Sequence, residues 1–439
     1  MTLSRRQFIA SGAAAGAAWV AAPFVHASGP RAKFRTALIG SGWWGKNILK
    51  EAMEAGRTKV VALCDVDAQM LAAAAETVKD LSGDTPKTYG DFRELLEKEK
   101  PEIVIIATPD HWHALIAIAA LKAGAHVFVE KPTGHTVYES RAMVKAARES
   151  GRLVQVGLHR RIGPHHVSAQ GFLKDGSVGT IGMVRLFAHY GGGPEKPSAN
   201  AAPPEGMNWD MYCGPSALRP FTRKIHPGGW RQFLDFGNGQ LGDWGVHWLD
   251  QVLAWTDEPY PKRVYSTGGR AIKGKPVLNE KEQTTDAPDH QVAVYEFDSF
   301  TCVWEHRQFA DNTAEKHQIG AYFYGTKGTL HIGWRDGWTF HPANSKEKQV
   351  HEDSQLQEPD GHNIKLLWAD FLQALDGGNA PVAGIEQAHR SSVLPLLGML
   401  SWRLGRSVRW DGAKEEIVAD PEANALLSRP YRAPWIYPT

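Results

Sequence analysis

Short apolar runs alternate with segments of helical length over the first third of the chain. The apolar runs are residues 36–39, 60–64, 103–107, 126–129 and 153–158. Helix signals recur between them, such as Thr136 with Glu139 at one helix start and Gly151 at its end. Continuous β-branched runs are typical of strands buried on both faces of a parallel sheet. Right-handed β-α-β crossovers therefore predict a doubly wound parallel sheet, an α/β Rossmann domain over residues 33–157.

From about residue 158 the pattern changes to clusters of β-branched and aromatic residues without long helices between them. The clusters are residues 263–266, 290–297, 301–307, 320–323 and 329–332. They predict antiparallel strands, with a hairpin turn at residues 325–328 and a long surface loop at 191–206. Residues 158–410 are thus expected to form an α+β domain for substrate and oligomerisation, with an open, mainly antiparallel sheet. Residues 411–439, rich in proline, are expected to form a C-terminal arm.

Residues 1–30 have the pattern of an export signal. Arg5 and Arg6 precede a weakly apolar stretch rich in glycine and alanine, and residues 25–27 resemble a signal-peptide cleavage site. The glycines and Pro23 make the stretch unsuitable for a membrane anchor, which is the alternative interpretation. We therefore expect a twin-arginine signal peptide, recognised by the twin-arginine export machinery. The mature protein would then be periplasmic or otherwise exported, with no membrane attachment after cleavage.

A glycine motif follows the first apolar run and precedes a predicted helix at residues 46–54. The motif comprises Gly40, Gly42, Trp43, Trp44 and Gly45. In a strand-turn-helix context, such glycines let the backbone approach a pyrophosphate at a helix N-terminus. Asp65 ends the second apolar run about 20 residues later, where a carboxylate accepts the ribose hydroxyls. Because Asp65 would repel a 2′-phosphate, the pattern favours NAD over NADP.

Polar residues cluster where the later strands of the parallel sheet end, the edge at which such sheets bind ligands. These candidate cofactor-binding residues are Thr108, Pro109, His111, His113, Glu130, Lys131 and Arg160. Asp110 is expected to cap the helix that follows Pro109. Lys131 could place its amine in the cofactor crevice, where burial would bring its pKa towards a useful range. The alternative is a solvated lysine in a turn.

A predicted helix at residues 240–251 carries Asp243, His247 and Asp250. At 100° per residue all three would face one way, which suits acid-base chemistry. The alternative is a helix cap followed by an ordinary core histidine. Candidate substrate-binding residues outside this helix are Tyr212, Trp230 and Arg231. Aromatic groups of this kind stack on sugars but are also common in protein cores.

The glycine motif, the Thr-Pro-Asp-His-Trp-His block at residues 108–113 and Glu-Lys-Pro at 130–132 resemble the Gfo/Idh/MocA oxidoreductases. The resemblance covers nearly the whole mature chain. It implies NAD(P)-dependent chemistry on sugars, cyclitols or their derivatives. It places Lys131 beside the nicotinamide and the reacting hydroxyl, often before a cis proline. It also implies that His247 is the catalytic base, with Asp243 binding substrate or tuning that base.

Two functional hypotheses follow. The first is an exported NAD(H)-dependent oxidoreductase that acts on a sugar or polyol hydroxyl, forms a homo-oligomer and retains its cofactor. Retention is expected because there is no free nicotinamide pool outside the cytoplasm. The alternative is an NAD-dependent glycoside hydrolase or lyase that works by transient oxidation and elimination. A non-catalytic dinucleotide sensor, the third class, would not need Lys131 and His247 aimed at one point.

Composition excludes several other classes. Lysine and arginine number 49 against 48 aspartates and glutamates, so the net charge of +1 gives no attraction to nucleic acid. Three widely spaced cysteines exclude a disulfide scaffold and a cysteine-based zinc module. The pairs with metal-ligand spacing are His111/His113, His165/His166 and Asp243/His247. We predict no metal site, because hydride chemistry needs none and no metalloenzyme motif is present.

Overall fold

Six short strands form one parallel sheet in the order β3-β2-β1-β4-β5-β6. The strands are β1 Phe34–Ile39, β2 Thr58–Cys64, β3 Lys87–Tyr89, β4 Ile103–Ile106, β5 His126–Val129 and β6 Val154–Val156. Every residue of β4 is buried, because helices cover both faces of the sheet. The predicted doubly wound Rossmann fold is therefore confirmed. Only the short edge strand β3, mostly exposed and without an apolar run, was not predicted.

Five helices connect these strands. They are α1 Trp43–Glu54, α2 Ala68–Ser82, α3 Phe92–Glu99, α4 Asp110–Lys122 and α5 Val137–Ser150. The capping box of Thr136 and Glu139 and the left-handed Gly151 at the end of α5 are confirmed. Asp110, however, is the first residue of α4 and not its cap, a position that Pro109 occupies. Its carboxylate is therefore available for contacts other than helix capping.

The second sheet has ten strands in the order β16-β15-β14-β13-β7-β12-β11-β9-β17-β18. Those strands in the middle of the chain are β7 Ile181–His189, β9 Arg263–Gly269, β11 His290–Glu296, β12 Thr301–Arg307, β13 Ile319–Gly325 and β14 Gly328–Gly333. The edge strands are β15 Trp338–Pro342, β16 Val350–Glu352, β17 Val408–Asp411 and β18 Glu416–Ile417. All neighbours pair antiparallel except β7 with β12. The mainly antiparallel sheet is confirmed, whereas β7 was missed because the burial of its last four residues removes the alternation.

The remaining helices cover the second sheet and reach the first domain. They are α6 Pro164–Lys174, α7 Trp209–Cys213, α8 Val246–Trp255, α9 Pro359–Leu375, α10 Ile385–Leu404 and α11 Pro421–Ala425. Helix α10 packs against β9, α8 and α5, and α9 packs against α1. Trp368 and Phe371 of α9 belong to the same buried core as the parallel sheet. The carboxyl-terminal part of the chain thus completes the packing of the amino-terminal domain.

Two connections lie largely outside regular structure. Residues 191–206 are irregular apart from the two-residue strand β8 Ser198–Ala199, which pairs with β10 Glu282–Gln283. The end of the chain runs back over the first domain, where Arg429 Nε lies 2.9 Å and Tyr431 Oη 2.7 Å from Glu139 of α5. Trp435 packs edge-on against Trp112, with ring centroids 4.7 Å apart. The arm therefore crosses the body of its own chain.

The computed structural model describes residues 32–312 and 314–439. The predicted twin-arginine segment at residues 1–30 lies outside the described residues. Within the described part of the chain, no helix is long and apolar enough to cross a membrane.

Gly45 offers a test of this packing, because a Cβ there would lie 2.0 Å from the backbone oxygen of Gly40. We expect Gly45→Ala to lower the free energy of unfolding by about 1–3 kcal/mol, since backbone cannot move aside cheaply. Gly42→Ala is the matched control, because a Cβ at Gly42 meets nothing within 4 Å. Urea denaturation of both variants checks the difference. Equal midpoints for the two would contradict it.

Candidate active site

The glycine loop leaves its backbone open at the N-terminus of α1. Gly40, at φ +93°, passes so close to β4 that a Cβ would lie 2.7 Å from the backbone of Ala107. At Gly42, by contrast, no neighbouring atom of residues 32–312 or 314–439 lies within 4 Å of an ideal Cβ. This open cradle fits the close approach of a pyrophosphate to free N–H groups. The residues present therefore fit the dinucleotide that the motif implies.

Asp65 lies at the floor of the cavity beside this loop. Its carboxylate accepts hydrogen bonds from the backbone N–H groups of Ser41, at 2.6 Å, and Asp67, at 2.9 Å. Burial raises its pKa, while these two bonds oppose that effect. The structure brings seven predicted site residues to the cavity wall: Gly40, Gly42, Asp65, Thr108, Pro109, Tyr212 and Trp230. They come from both domains, so the cavity lies where the two domains meet.

Trp43 and Trp44 lie beside the cavity and not in its wall. Trp43 is the more exposed, with 69% of its surface accessible. The ring of Trp44 lies 6.3 Å from that of His159, and Trp44 is one of the neighbours that lower the pKa of Glu130 against the raising effect of burial. Trp44 thus links the glycine loop to the end of β5.

Lys131 joins the edge of the parallel sheet to the second domain. Its Nζ lies 2.7 Å from Oδ1 and 2.8 Å from the backbone oxygen of Asp243. Arg231 Nε also donates to Asp243 Oδ1, at 3.2 Å. Burial raises the pKa of Asp243, but the charges and hydrogen bonds of Lys131 and Arg231 outweigh it, and the pKa is lowered. Three residues that the sequence predicted separately therefore form one charged cluster, and the Lys131–Pro132 bond is cis, as the resemblance implies.

The helix that carries Asp243 and His247 is not regular. Leu241–Gly245 is a π-helical turn, and α8 begins only at Val246. The expectation that Asp250 shares the face of Asp243 was wrong, because a turn of this kind breaks the 100° spacing. Asp250 instead accepts hydrogen bonds from Arg161 Nε at 2.9 Å and Ser391 Oγ at 2.6 Å, within the core.

His247 lies one turn beyond Asp243 and is 7% exposed. Burial, and secondly the charge of Lys131, hold its pKa well below the usual range of histidine. The imidazole is therefore neutral near pH 7, as a general base must be. Its Nδ1 is buried and makes no hydrogen bond within the described part of the chain.

Four residues that complete the site were missed from the sequence: Asp110, His159, Trp334 and Asp360. The ring of His159 packs edge-on against that of His247, with centroids 5.1 Å apart. Its Nε2 lies 3.2 Å from Asp360 Oδ1, which also accepts a bond from Trp334 Nε1 at 3.0 Å. Asp110 is buried where the charges of Lys131 and Asp243 act on it. The position of Asp110 in the Thr-Pro-Asp motif could have identified it from the sequence. Trp334 and Asp360 could not have been identified in this way, because their contacts join residues that are far apart in the sequence.

Arg160 does not lie in the cavity where it was predicted to contact the cofactor. It is 2% exposed, and its guanidinium lies 5.7, 5.5 and 5.6 Å from the rings of Trp244, Trp248 and Trp334. Asp360 is its ion-pair partner at 3.5 Å. Arg160 therefore fills an aromatic cage beneath the site, where cation–π contacts stabilise a buried charge, and it is not in the wall of the glycine-loop cavity.

His111, His113 and Glu130 support the strand ends from behind. His111 Nε2 lies 2.9 Å from the backbone oxygen of Tyr212, and burial lowers the pKa of His111 to about 3. His113 Nδ1 lies 2.7 Å from the backbone oxygen of Pro132 and Nε2 lies 2.9 Å from that of Thr108, so the neutral ring donates to one of the two, and burial lowers its pKa to about 4. Glu130 is buried too, and burial raises its pKa. These placements orient the loops that carry Thr108 and Lys131.

Two groups of side chains in the described residues have donors close enough to share a metal ion. They are His317/His331/Asp336 and His189/Glu305/Glu315. Neither group includes any of the three pairs that the sequence suggested, and both lie on the second sheet or its connections.

Comparison with known proteins shows which protein family this chain resembles. A model described as "Oxidoreductase family, NAD-binding Rossmann fold" matches residues 34–158. The models "GFO/IDH/MocA C-terminal domain" and "Oxidoreductase family, C-terminal alpha/beta domain" match residues 216–331 and 354–437. The three matches cover most of the chain, in the order that the fold requires.

Individual relatives agree with these models. The D-glucoside 3-dehydrogenase of Escherichia coli K12 is 24% identical over 365 residues, 81% of this chain and 91% of that protein. A glycosyl hydrolase family 109 protein of Stenotrophomonas maltophilia is 38% identical over 155 residues. That match spans only 34% of each chain, and the inositol 2-dehydrogenases matched next are covered to 46% of their length.

A solved structure confirms the fold over nearly the same span. Levoglucosan dehydrogenase, solved with NADH and levoglucosan, has a TM-score of 0.66 at 20% identity. The likeness covers 86% of this chain and 99% of that one. With an NAD-binding Rossmann domain and both carboxyl-terminal domain matches, the chain belongs to the Gfo/Idh/MocA family of oxidoreductases.

Proposed function

We propose that the chain is an exported NAD(H)-dependent oxidoreductase that acts on a hydroxyl group of a sugar, polyol or sugar derivative. The observation that carries the proposal is the contact of 2.7 Å between Lys131 Nζ and Asp243 Oδ1. Asp243 lies four residues before His247, whose imidazole is neutral. This contact puts an amine from the cofactor domain and an imidazole from the second domain at the sheet edge where ligands bind. The names of several relatives, which include glucoside and levoglucosan dehydrogenases, support a carbohydrate substrate.

The side chains divide the work of proton removal. NAD bound at the glycine loop would supply the acceptor for the hydride. His247 accepts the hydroxyl proton at Nε2, the ring nitrogen that remains when Nδ1 is buried. Lys131, held by Asp243, donates a hydrogen bond to the same hydroxyl oxygen and stabilises its developing negative charge. Arg231 shares Asp243 and so keeps that carboxylate ionised.

Retention of the cofactor is supported by the way the second domain closes over Asp65. His226 Nε2 lies 2.8 Å from Asp67 Oδ2, and both His226 and Trp230 line the cavity. Backbone bonds of 3.1 Å from Ala68 N to Gly206 and 2.8 Å from Asn208 N to Val66 fasten the same segments. These contacts would slow the loss of a nucleotide bound in the cavity. Retention suits an exported enzyme, because no nicotinamide pool would replace a lost cofactor.

The second candidate is an NAD-dependent glycoside hydrolase or lyase. The family 109 glycosyl hydrolase match, 38% identical over 155 residues, favours it. Oxidation of one hydroxyl would acidify the neighbouring C–H bond and permit elimination of the glycosidic group, without the usual carboxylate pair. The same Lys131 and His247 would serve this chemistry.

A homo-oligomer is part of the proposal. The face of the second sheet opposite α10 exposes Met183, Tyr265 and Val292, each between 38% and 44% accessible. Apolar side chains grouped on an open sheet suit burial against a second copy of the chain.

The central test identifies the nucleotide released when the purified mature protein is denatured, then follows nicotinamide absorbance after sugars are added to intact protein. We expect stoichiometric NAD and its reduction by a sugar or glycoside. Lys131→Met and His247→Gln should each slow reduction by about 10²–10⁴-fold, because each removes a group that acts on the hydroxyl proton or oxygen. His341→Gln, on β15, is the control.

Nucleotide-free protein, or unchanged reduction in both variants, would contradict the proposal. Aryl glycosides in the same assay separate the two candidates. Phenol released without net accumulation of NADH supports elimination, whereas reduced cofactor trapped on the protein supports dehydrogenation.

Asp110 is expected to make the stability of the folded protein depend on pH. Burial raises its pKa from 3.8 to about 8, opposed by the charge of Lys131 and helped by that of Asp243. The folded state thus keeps a proton that the unfolded state has lost, so stability should fall as pH rises from about 4 to 8. We expect Asp110→Asn to remove this slope and to raise Tm most at the upper end. Differential scanning calorimetry across the range, with the exposed Asp175→Asn as control, checks it; parallel curves for wild type and Asp110→Asn would refute it.

Export has its own test in a bacterium with a twin-arginine system. The full chain should be recovered from the periplasm, whereas the double variant Arg5→Lys, Arg6→Lys should stay in the cytoplasm, because the machinery reads the arginine pair. Cell fractionation followed by immunoblotting measures the distribution. Equal distribution of both proteins would count against export by this route.

A further inference from the structure

Two buried imidazoles meet behind the proposed reaction centre. His159 and His247 are 3% and 7% exposed, and their rings pack edge to face with centroids 5.1 Å apart. The Nδ1 atoms of both rings are buried, and neither makes a hydrogen bond within the described residues. Buried polar atoms of this kind need a partner. The two unpaired nitrogens are complementary if one carries a proton and the other does not.

Asp360 decides which nitrogen of His159 carries its proton. Its Oδ1 lies 3.2 Å from His159 Nε2 and accepts a bond from Trp334 Nε1 at 3.0 Å, and Arg160 Nη2 lies 3.5 Å away. Burial opposes ionisation of Asp360, but the hydrogen bond from His159 and the charge of Arg160 hold its pKa well below the usual range. The ionised carboxylate accepts only, so His159 donates to it from Nε2, and the tautomer with its single proton there leaves Nδ1 as an acceptor.

We propose that Asp360 and His159 are positioning residues for His247. They determine which ring nitrogen of His247 carries the proton, and they stabilise its protonated form. In the proposed arrangement the rings turn so that His159 Nδ1 accepts the Nδ1 proton of His247, and Nε2 of His247 is left without a proton. The proposal rests on the function proposed above. When the hydroxyl O–H bond breaks, its electron pair stays on oxygen and its proton forms a new N–H bond at Nε2. No proton moves to Asp360, whose negative charge offsets that of the imidazolium.

The charges around His247 explain why such support is needed. The groups that act on it are Lys131, His159, Arg160 and His166. Lys131 and Arg160 are cations and oppose a third positive charge, and His166 is a buried neutral ring. Asp243, the nearest predicted acid, is already shared by Lys131 and Arg231. Asp360 is therefore the carboxylate that reaches His247 through a side chain, that of His159.

The proposed relay from Asp360 through His159 to His247 is tested by Asp360→Asn, His159→Phe and the double variant, all as holoenzyme. We expect each single change to lower kcat for cofactor reduction by about 10–100-fold, with KM for the sugar and bound NAD unchanged. The double variant should be no slower than the slower single one, because the residues act as a unit. In Asp360→Asn the acidic limb of the kcat profile should move to lower pH, since loss of a negative charge disfavours the imidazolium.

Asp370→Asn is the matched control, because Asp370 is on the same helix and, within the described residues, its carboxylate accepts hydrogen bonds from Gln155 and Val382 and not from the imidazole pair. It should leave kcat and the pH limb unchanged. Additive losses in the double variant, or an unshifted limb in Asp360→Asn, would overturn the proposal.

A measurement on the wild type does not depend on finding a substrate. Nitrogen NMR of histidine-labelled holoprotein, with His247→Gln for assignment, reports which ring nitrogen bears the proton. We expect Nδ1–H at His247 in the wild type and a mixture of tautomers in Asp360→Asn. Nε2–H at His247 in the wild type would overturn the relay, even if every sugar tried proves inert. Failure of all sugars with Nδ1–H intact would count against the proposed activity alone.

Discussion

The ion pair between Lys131 and Asp243 is the contact on which the arrangement of the site depends. The two side chains are only 11% and 21% exposed, so each charge has lost most of its water. Breaking a buried pair leaves an uncompensated charge, which is far more unfavourable than breaking a pair at the surface. Lys131 lies two residues after the end of β5, and Asp243 lies within the π-helical turn before α8. One electrostatic contact therefore fixes the distance between the cofactor domain and the helix that carries His247.

Around this pair, the two domains share their polar and apolar contacts. Arg160 fits within three tryptophan rings and beside Asp360 of α9, and the same helix places Trp368 in the core of the first domain. His226, in the cavity wall, also contacts Asp67 of the first domain. Closely packed interiors transmit displacements and do not absorb them. The site is therefore held by contacts on several sides, which suits chemistry that needs a fixed geometry.

The parts predicted from sequence are those whose signals are local. Apolar runs, caps and glycines report on neighbouring residues, so the Rossmann fold, the open cradle at Gly42 and the place of Lys131 followed from them. The π-helical turn could not follow from a count of 100° per residue, which is why Asp250 was misplaced. Asp360 pairs with His159 across 201 sequence positions, a contact that no periodicity encodes. Arg160 looked like a ligand-binding residue because its burial beneath three tryptophans depends on tertiary packing.

The returning arm has a consequence for biosynthesis. Glu139 and Trp112 of the first domain receive their contacts from Arg429, Tyr431 and Trp435. Arg429 and Tyr431 lie 290 and 292 positions after Glu139, so the nucleotide-binding lobe lacks part of its packing until that distant stretch has been synthesised. A nascent or truncated polypeptide would hold that lobe in an unfinished state. Completion of the amino-terminal lobe is thereby coupled to the synthesis of a remote part of the same polypeptide.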